Sequence, residues 1–397
     1  MEWNTIDWID LVLRWFHIMA GISWIGGSLY LLWLDRIFAN PDRATRGEKG
    51  EPWLIDLAGS LLVDKLGLGP DGMAKTHIWF KRETLLTWIS GLLLLVMLAH
   101  FPGGGLLLDA DGKPLNAPIA TAMIAALLVL GWLLYDYLWR MPLNRMTLLP
   151  VILSLAIFVI VVWGVAQIFS GRALFILMGA VLGTLMMGNI WFRLLPALKE
   201  MMEARQEGRP ADEVLCAHAK VRSNHSSYLI FPTVVLMISN HYPVLYSHHL
   251  NWLVLAVLVV AFILVRHLVV SGKAGLWALG LALVGLALSI AIIAAVKAPP
   301  GRVDKAPVDF TEVRAIVSKH CLRCHSTVPS DPNFGPTPGG VAFDQPEDIK
   351  RHAPRIKVRA VDTLTMPNKD GRGHEVTITY AERKLLGRWV DAGAKLE

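Results

Sequence analysis

The chain has 397 residues, of which 54% are hydrophobic and 18% charged, and its formal net charge is +6. A mean hydropathy of +0.47 excludes an ordinary soluble protein and indicates an integral membrane protein. Lys and Arg form no basic face with interleaved aromatic residues, so we expect no binding to nucleic acid.

Residues 1–297 form the apolar part of the chain. Eight segments there are long enough to cross a bilayer as helices, which takes about 20 residues. They lie at 8–34, 84–100, 119–139, 148–169, 173–195, 227–246, 250–270 and 274–296. We therefore predict an all-α fold, in which an eight-span transmembrane bundle forms an integral membrane domain over 1–297.

The loop charges predict the orientation of this domain. Eight spans place both of its ends on one side of the membrane. Eighteen Lys and Arg residues lie in one set of loops, whereas the alternate loops contain only Lys113 and Arg172. Positively charged loops stay in the cytoplasm. We therefore expect the N-terminus and everything after residue 297 to face the periplasm.

Polar residues inside the spans are the candidates for function, because they are costly in lipid. One group lies toward the predicted outer side and the other toward the inner side. The outer candidates are Arg14, His17, Asn240 and His241. The inner candidates are Glu83 and His225, which lie just before the predicted second and sixth spans, with Arg82 and Asn224 as neighbours. For each histidine, an interhelical hydrogen bond remains an equally good interpretation.

A Pro-rich linker is predicted over 298–308, followed by a soluble domain over 309–397. Capping-box patterns at 309–312 and 379–382 predict its first and last helices. Phe310 and Trp389 are spaced so that these two helices can pack together. This arrangement resembles a small class I cytochrome c domain.

The spacing Cys321-Leu322-Arg323-Cys324-His325 is the attachment motif of a covalent haem c. Cys321 and Cys324 would form the thioethers, and His325 would be an axial ligand of the iron. A zinc half-site or a thioredoxin-like pair is the alternative. The only other cysteine, Cys216, lies in the membrane domain, and no βαβ pattern surrounds the motif.

Met366 is the expected sixth ligand of the haem iron. It is the only methionine in 301–397 and precedes a proline in a polar loop, where packing into a helical core is disfavoured. His352 and His374 are the competing candidates.

Four stretches resemble the bacterial membrane-bound urate oxidase family, also called urate hydroxylase, in which an eight-span body precedes a cytochrome c. They are RWFHIMAGISWIGG at 14–27, WFKRE at 79–83, SNHSSYLIFP at 223–232 and MISNHYP at 237–243. The resemblance implies oxidation of urate to 5-hydroxyisourate with water as the oxygen source. Electrons would leave through haem c rather than to dioxygen.

The resemblance also extends to cofactors and partners. His17 resembles a first-helix histidine that binds haem b in a wider superfamily, and His241 is the candidate second ligand. A soluble cytochrome c or a terminal oxidase is the expected electron acceptor, and membrane lipid surrounds the body. The alternative function is a haem-containing membrane electron conduit or transporter with a cytochrome c output domain and no purine chemistry.

Overall fold

The computed structural model describes residues 5–38, 79–100, 106–107, 115–140, 149–246, 250–271, 276–295, 308–330, 340–362, 366–367 and 378–396. Every regular element in these ranges is helical, so the all-α prediction is confirmed for the described residues. The predicted linker lies outside them, apart from Val308.

The membrane part contains nine α-helices, counted within the described ranges. They are α1 (Thr5–Phe38), α2 (Trp79–His100), α3 (Ala117–Leu138), α4 (Leu149–Ile168), α5 (Gly171–Asn189), α6 (Leu195–Gln206), α7 (Glu213–Ile238), α8 (Asn251–Ser271) and α9 (Leu276–Ala295). A π-helix, Ile190–Leu194, joins α5 to α6, and short 3₁₀ turns, Ser239–His241 and Pro243–Leu245, follow α7.

Polar side chains begin several of these helices by satisfying main-chain N–H groups that have no partner inside the helix. Asn116 accepts a hydrogen bond from Ile119 at the start of α3, and Ser170 accepts one from Ala173 at the start of α5. Asp212 does the same for two N–H groups at the start of α7. The polar residues between the apolar runs therefore determine where the helices start.

The fifth long helix, α5, lies at the centre of the bundle. Phe175, Leu177 and Met178 have no exposed surface, and α5 contacts α2, α3, α4, α7 and α8. The π-helix after it ends two residues before Pro196, which has no N–H to donate. A wider turn accommodates the proline ring and the carbonyl groups before it.

Among the residues that the structure describes, six helical stretches are long and apolar enough to cross a membrane. They are Trp8–Tyr30, Lys81–His100, Ala117–Leu138, Leu149–Ile168, Gly171–Met201 and Asn251–Val269. Of the other two predicted spans, Leu276–Ile292 is apolar but shorter, and α7 begins with a polar half. A helical membrane body is thus supported, while the number eight stays a prediction.

The C-terminal region has its own hydrophobic core. Its elements are α10 (Phe310–His320), α11 (Pro346–Arg351), α12 (Ala353–Ile356), the π-helix Lys357–Asp362 and α13 (Tyr380–Asp391). The rings of Phe310 and Trp389 lie 5.8 Å apart, which confirms the predicted packing of the first and last helices. The capping box of Thr379 and Glu382 is present. Asp309 instead accepts from Thr311.

Candidate functional site

The main polar site lies between the end of α3, the middle of α7 and the π-helix that follows the central helix α5. Asp136 on α3 is its charge centre, with a side chain that is 5% exposed. Three arginines surround the carboxylate: Arg140, Arg193 and Arg222. Arg193 Nε donates to Oδ1 at 2.8 Å, Arg140 Nη2 lies 2.8 Å from Oδ2, and Arg222 Nη2 lies 3.0 Å from Oδ1.

This Asp136 cluster, comprising Asp136, Arg140, Arg193 and Arg222, carries more positive than negative charge. Three guanidinium groups, which stay protonated in proteins, face one carboxylate. Arg222 is almost completely buried, and its Nη1 has no hydrogen-bond partner in the described structure. A buried cation with an unused donor is costly, so the cluster is suited to binding an anion.

A second network lies beside the cluster and links three helices. The Tyr135 hydroxyl lies 2.8 Å from His225 Nδ1. Asn189 Nδ2 donates to the Tyr135 hydroxyl at 3.1 Å and to Ser226 Oγ at 3.2 Å. The guanidinium of Arg222 lies over the Tyr135 ring, 4.8 Å from its centroid, so this network and the Asp136 cluster form one continuous site.

The direction of these hydrogen bonds follows from their donors. Because the Tyr135 oxygen accepts from the Asn189 amide, the tyrosine can donate its own proton to His225 Nδ1. Neutral His225 then carries its proton on Nε2. Trp139 holds the imidazole from the other side, with the two ring centroids 4.1 Å apart. Asn189 Oδ1 is buried without a donor among the described residues, so the site offers an unused acceptor as well as a cation.

Glu83 lies at the start of α2, which contacts the π-helix. Lys81 Nζ lies 4.8 Å from the centroid of the Trp191 ring on that π-helix. Glu83 Oε2 is buried and accepts no hydrogen bond among the described residues. The neighbouring Arg82 is exposed. The structure therefore places Glu83 at the same end of the bundle as the Asp136 cluster.

The outer candidates form separate contacts. Arg14 is paired with Asp10 on its own helix at 2.7 Å. Asn240 Oδ1 accepts from Arg172 Nε at 2.6 Å. Arg172 was not among the site residues predicted from the sequence. His241 is exposed. This end has cations and amides too, but the described residues provide it with no buried network comparable to that of Tyr135, Asn189 and His225.

His17 packs against α2. Its Nδ1 lies 3.0 Å from the Thr87 carbonyl and 3.0 Å from Ser90 Oγ. A carbonyl only accepts, so Nδ1 carries the proton and neutral His17 has its lone pair on Nε2. This is the usual state of a histidine that ligates iron. No hydrogen bond or ring contact joins His17 to His241 in the described structure, so the pair of ligands stays a prediction.

The predicted haem c motif follows α10 as a tight turn. The N–H groups of Cys324 and His325 donate to the Cys321 carbonyl at 3.2 and 2.8 Å. His325 Nδ1 donates to the Val341 carbonyl at 3.2 Å, which leaves Nε2 for an axial bond. Burial, supported by the neighbouring Cys324, raises the pKa of the Cys321 thiol to about 12.

Met366 is tied to this domain through its main chain. Its carbonyl accepts from Arg383 Nη1 at 2.8 Å, and its N–H donates to the Arg359 carbonyl at 2.9 Å. His352 Nε2 is buried without a partner among the described residues, and its ring contacts Phe343, which also contacts His325. This unpaired nitrogen and the available His325 Nε2 fit a bound haem. His374 lies outside the described residues.

Sequence reasoning found His225 and Glu83 but missed Tyr135, Asp136, Asn189 and Arg222. Two of these could have been noticed, because Asp136 and Asn189 interrupt apolar runs where polar residues are costly. Among the described residues, no group of three or more His, Cys, Asp and Glu side chains could hold a metal ion.

Comparison with known proteins gives one match. The family model described as urate oxidase N-terminal matches residues 4–297. Neither curated proteins nor solved structures gave a match.

Proposed function

Because the chain belongs to the urate oxidase N-terminal family, we propose that it oxidises urate to 5-hydroxyisourate in a bacterial inner membrane. Water supplies the oxygen, and two electrons and two protons are released. The observation that carries this proposal is the buried, net positive site around Asp136, with unused hydrogen-bonding atoms on Arg222 and Asn189. Urate is a planar anion with N–H donors and carbonyl acceptors.

Each part of this site suits one part of urate. Arg222 Nη1 would bind the anionic side of the purine, since guanidinium groups recognise planar anions well. Asn189 Oδ1 would accept from a ring N–H, and the Nε2–H of His225 would donate to a carbonyl oxygen. The dry surroundings make each of these interactions stronger than it would be in water.

Hydroxylation by water also needs a base. We assign this role to Glu83, because its Oε2 is buried with no donor bound to it among the described residues. A carboxylate in that state can accept a proton from the attacking water. The other four predicted catalytic residues, Arg14, His17, Asn240 and His241, belong to the outer end. We retain them as candidates for electron transfer rather than for binding urate.

The electrons would leave through the C-terminal domain. Cys321 and Cys324 would hold haem c covalently, and His325 and Met366 would ligate its iron. When bound, the haem accepts one electron at a time. The predicted eight-span topology would put this domain in the periplasm, where a soluble cytochrome c or a terminal oxidase can accept the electrons. A haem b at His17 would supply a second redox centre.

The proposal is tested by adding urate anaerobically to the purified, oxidised full-length protein. We expect the haem absorption bands to become those of the reduced state, with 5-hydroxyisourate as the first product. A pyridine haemochrome spectrum counts haem c and haem b in the same sample, and loss of the b signal in His17→Ala would support that ligand. If urate leaves an intact haem oxidised, the protein is better explained as an electron conduit or transporter.

A further inference from the structure

A cavity of about 910 Å³ lies between α3, α4, α5, α7 and α8. Its walls are made almost entirely of aliphatic and aromatic side chains, and no Lys, Arg, Asp or Glu lines it within the part of the chain that the structure describes. Leu130 and Leu134 on α3 and Val151 on α4 line the cavity and are also exposed on the outer surface of the bundle. The cavity is therefore not fully closed along α3 and α4, and in a membrane an opening on this side would face lipid.

One end of this cavity is polar. His225 and Tyr135 from the proposed urate site reach it, and so do Tyr228 and His267. The Tyr228 hydroxyl lies 2.9 Å from His267 Nδ1, and the two rings are stacked with centroids 6.0 Å apart. Two hydrogen-bonded Tyr–His pairs, Tyr135 with His225 and Tyr228 with His267, thus line one apolar cavity.

We propose that this cavity binds a lipophilic quinone. A quinone has a planar head with carbonyl acceptors and a long apolar tail. The head matches the imidazole donors and the aromatic rings, and the tail matches the apolar wall and its opening to lipid. A phospholipid fits less well, because its phosphate would find no cationic side chain among the lining residues.

A bound quinone would change how electrons leave the membrane body. A quinone takes up two electrons and two protons to become a quinol, which is the number released when urate and water form 5-hydroxyisourate. This consequence rests on the proposed function, whereas quinone binding itself does not. The position of His225, in contact with both sites, would bring donor and acceptor close together.

Gly164 allows a direct test. It lines the cavity, and a Cβ added there meets no atom within 4 Å. Gly164→Phe should therefore fill the cavity without displacing the wall. Gly280 on α9 has the same open surroundings but is exposed and does not line the cavity. Gly280→Phe is the matched control.

Binding of decylubiquinone to the full-length protein in detergent would be measured without urate. We expect one saturable site, with affinity lowered at least about tenfold by Gly164→Phe and unchanged by Gly280→Phe. Tyr228→Phe should weaken binding severalfold, and decylbenzene, which has the tail but no carbonyl head, should not compete. An azido-quinone should crosslink to α3, α4 or α7.

Two results would overturn the proposal. One is equal binding by the wild-type protein and a folded Gly164→Phe variant. The other is equal competition by decylbenzene, which would show a simple hydrocarbon or lipid cavity. If Gly164→Phe does not fold, Tyr228→Phe and the crosslinked peptides still decide the question. Because no urate is present, the outcome is independent of the urate assay.

Discussion

Arg222 Nη2 donates to both the carboxylate and the main-chain carbonyl of Asp136, at 3.0 and 2.9 Å. This one NH₂ group therefore holds both the carboxylate and the main chain of Asp136 in place at the end of α3. The other nitrogen of the same guanidinium, Nη1, has no partner among the described residues. Arg222 therefore holds α7 against α3 through Nη2 and keeps Nη1 as an unused donor for the proposed substrate.

Replacing Arg222 should mainly weaken urate binding. A hydrogen bond to a charged group contributes about 1.5–3 kcal/mol, so Arg222→Gln should lower kcat/KM for urate roughly 10- to 100-fold. Arg222→Lys should recover part of this loss. Anaerobic reduction of the haem by urate gives the rates, and thermal unfolding reports any loss of stability.

Arg140→Gln is the matched control for Arg222. Arg140 bonds the same carboxylate, but its side chain is 58% exposed, so its ion pair is worth little. We expect near wild-type rates. Equal losses in the two variants would mean that the charge of the whole cluster matters, and not the buried donor of Arg222.

Glu83→Gln tests the proposed base. We expect a large fall in kcat with little change in KM. In the wild-type protein, protonation of the base should lower the rate at low pH, and this decrease should be absent from the variant. Glu83→Asp should keep part of the activity, and the exposed neighbour Arg82→Gln should keep nearly all of it. An unchanged pH–rate profile in Glu83→Gln would assign the base to another residue.

Met366 is tested by the reduction potential of the haem. A thioether ligand raises the potential relative to a second histidine, so Met366→His should lower the midpoint in a potentiometric titration. The pyridine haemochrome spectrum should stay that of haem c, because Cys321 and Cys324 are unchanged. A shift in His352→Ala but not in Met366→His would instead identify His352 as the ligand.

The C-terminal domain should lose stability in acid through Glu382. Partial burial opposes its ionisation, but hydrogen bonds from the Thr379 N–H, His320 and Lys319 outweigh this effect and hold its pKa at about 2. The unfolded value is higher, near 4.5. The stabilisation that ionised Glu382 contributes is therefore complete above about pH 4.5 and is lost as the pH falls toward 2.

Glu382→Gln should remove this pH dependence, which is measured as the thermal midpoint of the C-terminal domain between pH 5 and about 2. Glu347 is exposed, and Glu347→Gln should leave the profile unchanged. An identical acid profile in Glu382→Gln and the wild-type protein would exclude Glu382 as the source of the effect.

Short sequence patterns predicted helix starts and other local structure well, but they did not predict contacts between residues that are far apart in the chain. The capping box of Thr379 and Glu382 is contained in four adjacent residues, so the sequence was sufficient to find it. His225 was found because it lies with other polar residues just before a predicted span. Its partner Tyr135 is 90 residues away, and only the packing of α3 against the rest of the bundle brings the two together.

The sequence did not predict the Asp136 cluster for the same physical reason, because its members come from distant parts of the chain and meet only through helix packing. Arg193 and Arg222 were explained by the positive-inside rule, which accounts for basic residues at this end without giving them partners. Their pairing with Asp136 depends on how three helices are rotated about their axes. A hydropathy pattern without repeated polar positions does not determine that rotation, and the π-helix before Pro196 alters it further.

Gly188 is the position where this packing is tightest. A Cβ added to Gly188 on α5 would lie 1.9 Å from Trp132 Nε1 on α3, so Gly188→Ala must displace the indole. Overpacking of this kind typically costs about 1–3 kcal/mol. Trp132 lies one turn before Tyr135 and Asp136, and Gly188 precedes Asn189. The variant should therefore lower both the thermal midpoint and the rate of urate oxidation.

Gly183→Ala separates this effect from a general intolerance of α5 to larger residues. Gly183 lies on the same helix, and a Cβ there meets nothing within 4 Å. Since alanine favours helix more than glycine does, this variant should be as stable as the wild type or slightly more stable, with unchanged kinetics. If the two alanine variants behave alike, the close approach of α3 to α5 at Trp132 does not control the geometry of the site.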